Sequence, residues 1–175
     1  MAKREALKEL QTRLAVRLQA ARSEGVSGSS WLAVQSGGRQ LLLPLSQSGE
    51  IFPWSGVQSV PYTQPWFLGV ANLRGALAGV VDLAALLGTP VARSEQALAE
   101  SSVLALNAGL EVNAALLVDR LAGLRGQDAF MASEPRGEDE APYFGSIYID
   151  AQGLRWQEID LQALAQHPAF LSISA

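Results

Sequence analysis

The spacing of hydrophobic positions in this chain changes once, near residue 25. Before that point Leu7, Leu10, Leu14, Leu18 and Ala21 recur at intervals of three and four, and residues 3–22 contain neither Gly nor Pro. Good helix formers in that pattern predict an amphipathic helix over 3–22, with the charged side chains mostly on the opposite face. Gly25-Val26-Ser27-Gly28-Ser29-Ser30 then reads as a stop and a flexible joint. The apolar stripe either packs on the protein's own body or serves a partner or a membrane surface.

Beyond the joint the apolar residues fall into short runs bounded by Gly, Pro, Asn and Ser. Strands are expected at Trp31–Ser36, Gln40–Leu45, Val70–Arg74, Leu77–Val81, Val103–Leu106, Val112–Val118, Tyr143–Ile149 and Leu154–Ile159, with a weaker one at Glu50–Trp54. Gly37-Gly38 marks a hairpin between the first two. Only short helices fit between the strands, at Leu83–Leu87 and Leu161–Gln166. Many short strands with few helices favour an all-β barrel architecture. A faint internal echo pairs Val80-Val81-Asp82-Leu83-Ala84-Ala85-Leu86 with Glu158-Ile159-Asp160-Leu161-Gln162-Ala163-Leu164. In each copy a strand runs into an Asp before a short apolar helix, so Asp82 and Asp160 are expected helix caps. Ala85 and Ala163 stand where a capping-box Glu or Gln would.

Composition narrows the possibilities. At 175 residues, 49% hydrophobic and 17% charged, the chain suits one domain with a sizeable core and a short appendage. With no cysteine, disulfides, thiolate catalysis and sulfur-ligated zinc are excluded. The first twenty-four residues carry six basic and three acidic side chains, the rest seven and fourteen. An acidic body disfavours nucleic acid, whose binding depends on neutralising phosphates. Charged residues interrupt every apolar run at the start, so no signal-peptide core is expected there. Leu68 to Leu87 could pass for a membrane span, but it holds Asn72, Arg74 and Asp82. Charges at a bilayer centre cost roughly 2.5–3.5 kcal/mol each on insertion scales. The stretch reads as protein core.

Candidate chemistry is sparse. His167, the one histidine, precedes Pro168 near the chain end and reads as an exposed residue closing the last helix. No Gly-x-Ser-x-Gly elbow and no Gly-Lys-Ser/Thr phosphate loop occurs, and Gly123-Leu124-Arg125-Gly126 is too short for a dinucleotide cradle. Asp82, Asp119 and Asp160 are carboxylates that spacing alone does not bring together. Gln127–Pro142 reads as a solvated connector, and its acidic cluster lacks the ligand spacing of a calcium loop. No catalytic, metal or cofactor-binding residue is expected. Arg74, a charge between apolar neighbours at a strand end, needs carboxylate or carbonyl partners, either in its own chain or on another protein.

Gly69-Val70-Ala71-Asn72-Leu73-Arg74-Gly75, a second strand, and Val80-Val81-Asp82-Leu83 resemble the signature of the CheW family of chemotaxis adaptors. Ala114 to Asp119 resembles that family's strand ending in Val-Asp, and Tyr143-Phe144-Gly145 its later aromatic before Gly. Gly79, where many relatives have Pro, and Ala84, where many have a basic residue, depart from the pattern. The helix before the domain and the closing His167-Pro168-Ala169-Phe170-Leu171 are similar to members serving type IV pilus, or twitching-motility, chemosensory systems. The resemblance implies two five-stranded SH3-like barrels sharing a core, formed by residues 27–175, after an N-terminal helix and linker at 1–26. It implies a non-catalytic, cytoplasmic adaptor without cofactor, held in receptor–kinase arrays at the inner face of the membrane. Its partners would be a chemoreceptor's hairpin tip, in a groove between the barrels, and the regulatory domain of a CheA-type histidine kinase. The family's receptor-contacting arginine falls on Arg74, and neighbouring contact positions fall on Ser48, Glu50 and Ile51. The alternatives are a small ligand in the same apolar groove, or an enzyme with a dispersed site.

Overall fold

In the computed structural model, residues 2–23 and 30–175 are described, with side chains for 2–17 and 30–175. The joint expected at 25–30 lies outside the described residues apart from Ser30. Helix α1 (Ala2–Ser23) is followed by strands β1 (Ser30–Ser36), β2 (Arg39–Pro44) and β3 (Ser48–Pro53), then β4 (Phe67–Leu73) and β5 (Ala76–Asp82). Helices α2 (Leu83–Leu86) and α3 (Glu95–Glu100) lead to β6 (Ser102–Leu106), β7 (Ala114–Val118), β8 (Arg120–Gly126) and β9 (Phe130–Glu134). The chain closes with β10 (Phe144–Asp150), β11 (Arg155–Ile159), α4 (Leu161–Gln166) and α5 (Pro168–Leu171).

These strands form two sheets. One runs β8-β1-β2-β11-β10-β9 and the other β3-β6-β7-β5-β4. The expected two-barrel, mainly β architecture with an N-terminal helix is therefore present, its sheets holding six and five strands. Both ends of the chain build the first sheet and its middle builds the second. Each sheet has one parallel seam, β2 with β11 and β5 with β7, and is otherwise antiparallel.

The apolar runs are continuous because the strands are covered on both faces. In β7, Ala115 and Leu117 face a small core inside the five-stranded sheet, with Val80 and Val103. Ala114, Leu116 and Val118 face a large core shared by both sheets. Strand β1 divides likewise. Leu32 and Val34 enter the shared core, whereas Trp31 and Ala33 enter a second small core with Leu42 and Trp156. Phe130 of β9 closes that core, its ring edge-on to Trp31 at 5.7 Å. This corrects the reading of 127–142 as a bare connector, since residues 130–134 pair with β10 as an edge strand.

The internal echo is structural. Asp82 accepts a hydrogen bond from the Ala85 amide at 3.4 Å, and Asp160 from that of Ala163 at 3.1 Å. Both aspartates also donate their own amide to the carbonyl of an aromatic residue preceding a strand, Trp66 and Tyr143 respectively. Gly79 has a role of its own, because its amide donates to the Asn113 carbonyl at 2.9 Å. A proline there, lacking that hydrogen, would lose the bond.

Helix α1 lies on β3, β8 and the turn at Leu45–Gln47. The expected stripe is corrected in part. Leu14 is buried in the shared core and Gln11 donates to Ser102 Oγ at 2.6 Å, while Leu10 is 46% exposed. Leu18 and Ala21 lie outside the described side chains. Burying one leucine contributes roughly 1.5–3 kcal/mol and a neutral hydrogen bond about 0.5–1.5.

Candidate functional site

The hairpin β4–β5 carries the most specific sequence motif, and three local features fix its shape. Gly69 has φ +145°, and a Cβ there would lie 2.2 Å from the Gln58 carbonyl oxygen. Gln58 and Val70 exchange backbone hydrogen bonds of 2.8 and 2.9 Å, so the preceding loop crosses the strand where only glycine fits. At the tip, Leu73 pairs with Ala76 around two residues of positive φ, Arg74 at +52° and Gly75 at +84°. Asn72 Oδ1 accepts from the Gly75 amide at 2.7 Å. This is the primed turn that matches strand twist, and it normally takes Asn, Asp or Gly first. The β1–β2 hairpin makes it with Gly37 and Gly38.

Arg74 is therefore at the turn tip, not in the strand end where sequence placed it. Its side chain is 77% exposed, and Nη2 lies 2.5 Å from Oε1 of Glu50 on β3. The pair ties together the two edge strands of the five-stranded sheet. Such an exposed pair contributes at most about 1 kcal/mol, so a carboxylate on another molecule can replace Glu50 at little cost. Of the other expected contact residues, Ser48 is wholly buried and donates to the Pro44 carbonyl at 2.8 Å. Ile51 is buried in the shared core. Neither presents a side chain at the surface, which corrects the expectation for both. Leu77, 64% exposed on β5 beside the turn, was missed because it sits in a run that reads as core.

The second half of the motif organises a buried charge cluster. Asp82, besides capping α2, receives Arg93 Nη1 at 2.6 Å and Nη2 at 3.2 Å. Arg93 Nε donates to Asp119, whose other oxygen accepts from the Gly37 amide at 2.7 Å. Burial works against the Arg93 charge, but the hydrogen bonds to both aspartates outweigh it and raise its pKa further. Arg93 escaped sequence reading because it stands alone in a loop with no periodicity. Structure thus brings Asp82 and Asp119 together, but around a guanidinium. Asp160 lies apart and accepts from Gln47 Nε2 at 3.0 Å.

Glu158 is a half-buried carboxylate whose Oε2 accepts from Trp31 Nε1 at 2.5 Å. Burial raises its pKa, the tryptophan hydrogen bond pulls it down, and the nearby Asp160 charge raises it again, with a net upward shift. His167 is half-buried, contrary to expectation. Its Nδ1 accepts from the Ala169 amide at 3.1 Å, capping α5, and its ring packs edge-on against Tyr143. Among the described residues no cluster of three or more His, Asp or Glu could hold a metal ion, and no helix is long and apolar enough to cross a membrane.

Helix α1 lies across from β3 of one sheet to β8 of the other. Where the first turns of α1 stand off the body, a cavity of about 1170 Å³ remains, lined by Leu7, Leu10, Val91, Glu95, Glu100 and Leu121 among others.

The model of the CheW-like domain matches residues 30–169. The chain is 30% identical over 157 residues to protein PilI of Pseudomonas aeruginosa, covering 88% of this chain and 85% of that protein. It is 35% identical over 57 residues to a probable chemotaxis protein CheW of Rhizobium etli, covering 33% of this chain and 37% of the other. Among solved structures, the scaffolding protein TtCheW of Thermoanaerobacter tengcongensis is similar with a TM-score of 0.61 at 16% identity, over 75% of this chain and 88% of that one. At that identity the likeness bears on fold alone.

Proposed function

Because the chain belongs to the CheW-like domain family, we propose that it couples a chemoreceptor's hairpin tip to a CheA-type histidine kinase, as the adaptor of a pilus-linked chemosensory system. CheW-like scaffolding proteins are non-catalytic and work in chemosensory signalling. The likeness to PilI over most of both chains supports the pilus-linked setting. Residues 27–175 would be the adaptor domain and 1–26 an appendage particular to this pathway. The site of action would be cytoplasmic, beneath the membrane that holds the receptor.

One observation carries the receptor contact. An arginine stands in a left-handed turn position where glycine or asparagine would be easier, and its charge is exposed. A residue kept against its backbone preference marks a position under functional demand. Arg74 would exchange Glu50 for an acidic side chain of the receptor tip, with exposed Leu77 meeting its apolar face. Fixed geometry between receptor and kinase then lets a receptor state change kinase activity.

The test is binding of a receptor-tip hairpin peptide to the purified chain and to Arg74→Glu. Tenfold or greater loss of affinity, with an unchanged melting temperature, is the expected result. Equal affinity would remove Arg74 from the contact.

A further inference from the structure

We propose that the open face between the first turns of α1 and helix α3 is a pairing surface for a second copy of this chain, joined about a two-fold axis. Neither Arg74 nor Leu77 lines this face, so the contact is separate from the receptor contact proposed above and does not rest on it.

The two walls of the face carry opposite charges. Lys3 and Arg4 line the cavity from α1, and Glu95 and Glu100 line it from α3. All four residues are exposed, and among the described residues none of them is in an ion pair. Opposite charges therefore share a cavity of about 1170 Å³ without pairing across it. Apolar surface lies open in the same cavity. Leu10 is 46% exposed and Val91 44%, with the half-buried Leu7 beside them. The stripe of α1 thus divides, Leu14 entering the shared core while Leu7 and Leu10 turn to the cavity. Exposed aliphatic side chains flanked by unpaired charges have the make-up of an interface with an apolar centre and a polar rim.

A second copy is the occupant that this arrangement fits. In a two-fold contact one patch meets itself reversed, so whatever lies on one side of the axis must match what lies on the other. An axis through the cavity sets Lys3 and Arg4 of each copy against Glu95 and Glu100 of the other, with Leu10 and Val91 near the axis. A partner bearing one sign of charge would be attracted by one wall and repelled by the other, whereas a second copy meets both walls favourably. The charges are exposed, so the association is weak and falls with salt.

Sedimentation of the intact chain from about 5 to about 500 µM tests this. The mass should rise with concentration from the 18.6 kDa monomer toward the dimer. Glu95→Lys with Glu100→Lys makes both walls basic, and Lys3→Glu with Arg4→Glu makes both acidic. Each double variant alone should associate at least tenfold more weakly than the parent. An equimolar mixture of the two should pair at least as tightly as the parent, because every wall then meets its opposite. Val91→Asp should also associate at least tenfold more weakly, with an unchanged melting temperature. A chain that stays monomeric over the whole range would overturn the proposal. So would self-association that the charge reversals leave unchanged, or double variants that remain monomeric when mixed.

Discussion

Arg74 stands at a backbone position that favours glycine. The left-handed conformation costs an L-residue about 1–2 kcal/mol, while glycine gives up roughly 0.5–1 kcal/mol in lost chain entropy. Removing the exposed pair with Glu50 subtracts at most about 1 kcal/mol. Arg74→Gly should therefore leave stability within about 1 kcal/mol of the parent in a urea melt, yet weaken receptor-tip binding as Arg74→Glu does. A variant that unfolds readily would mean the arginine serves the fold. Glu158 gives the second prediction at this scale. Its folded pKa is raised, chiefly by burial, so its contribution to stability is fully present below the ordinary glutamate value of 4.5 and is lost as pH climbs through the raised value. At neutral pH the half-buried charge is a cost. Glu158→Gln keeps an acceptor for Trp31 without that charge, so it should be more stable than the parent at pH 7, and the gap should close below pH 4.5. Thermal melts across that range decide the matter; a gap that widens on acidification would contradict it.

Elements that share a sequence pattern do not share an energetic role. Asp82 and Asp160 each end a strand and cap a short helix. Losing the Asp160 cap in Asp160→Ala should cost about 1 kcal/mol, at most about 2 with the Gln47 bond. Arg93→Ala strips the cation from two carboxylates, one of them buried, and should cost about 3–5 kcal/mol. Equal losses in urea titrations would mean that the Arg93 cluster is better solvated than its burial indicates. The capping pattern was legible because a cap is a local device, decided within four residues. Arg93 was not, because its partners lie eleven and twenty-six residues away in sequence. Of the elements that escaped, three did so for related reasons. Strand β8 carries a register shift against β1 around Gly123, which breaks its alternation. Strand β9 is a short, exposed edge set in an otherwise polar stretch, without the alternation of a half-buried strand. Helix α3 buries no residue and so shows no stripe, although Ser94 caps it at 3.1 Å.

Across the whole molecule, the shared core couples the two sheets. Leu32, Leu41 and Ile159 of one sheet and Leu104 and Leu116 of the other are fully buried in one cluster. Neither sheet can open without exposing that surface, so unfolding should be a single transition. Trp31 and Trp156 sit in the core of the six-stranded sheet, Trp54 beside that of the five-stranded one. Single-tryptophan variants reporting from each sheet should give coincident denaturant midpoints; separated midpoints would mean two independent barrels.

By itself, the sequence determined the strand-rich class, the positions of nine strands, both aspartate caps and the hairpin that carries Arg74. Each follows from neighbours within a few residues, where periodicity, turn chemistry and motif spacing act directly. Tertiary structure decided which faces those strands bury, that Arg74 stands in the turn paired with Glu50, and that Ser48 and Ile51 lie inside. It also gathered Asp82 and Asp119 around Arg93 and laid α1 across the seam. These depend on which sheet edges meet, and the meeting is settled by burial of one common core between segments far apart in the chain.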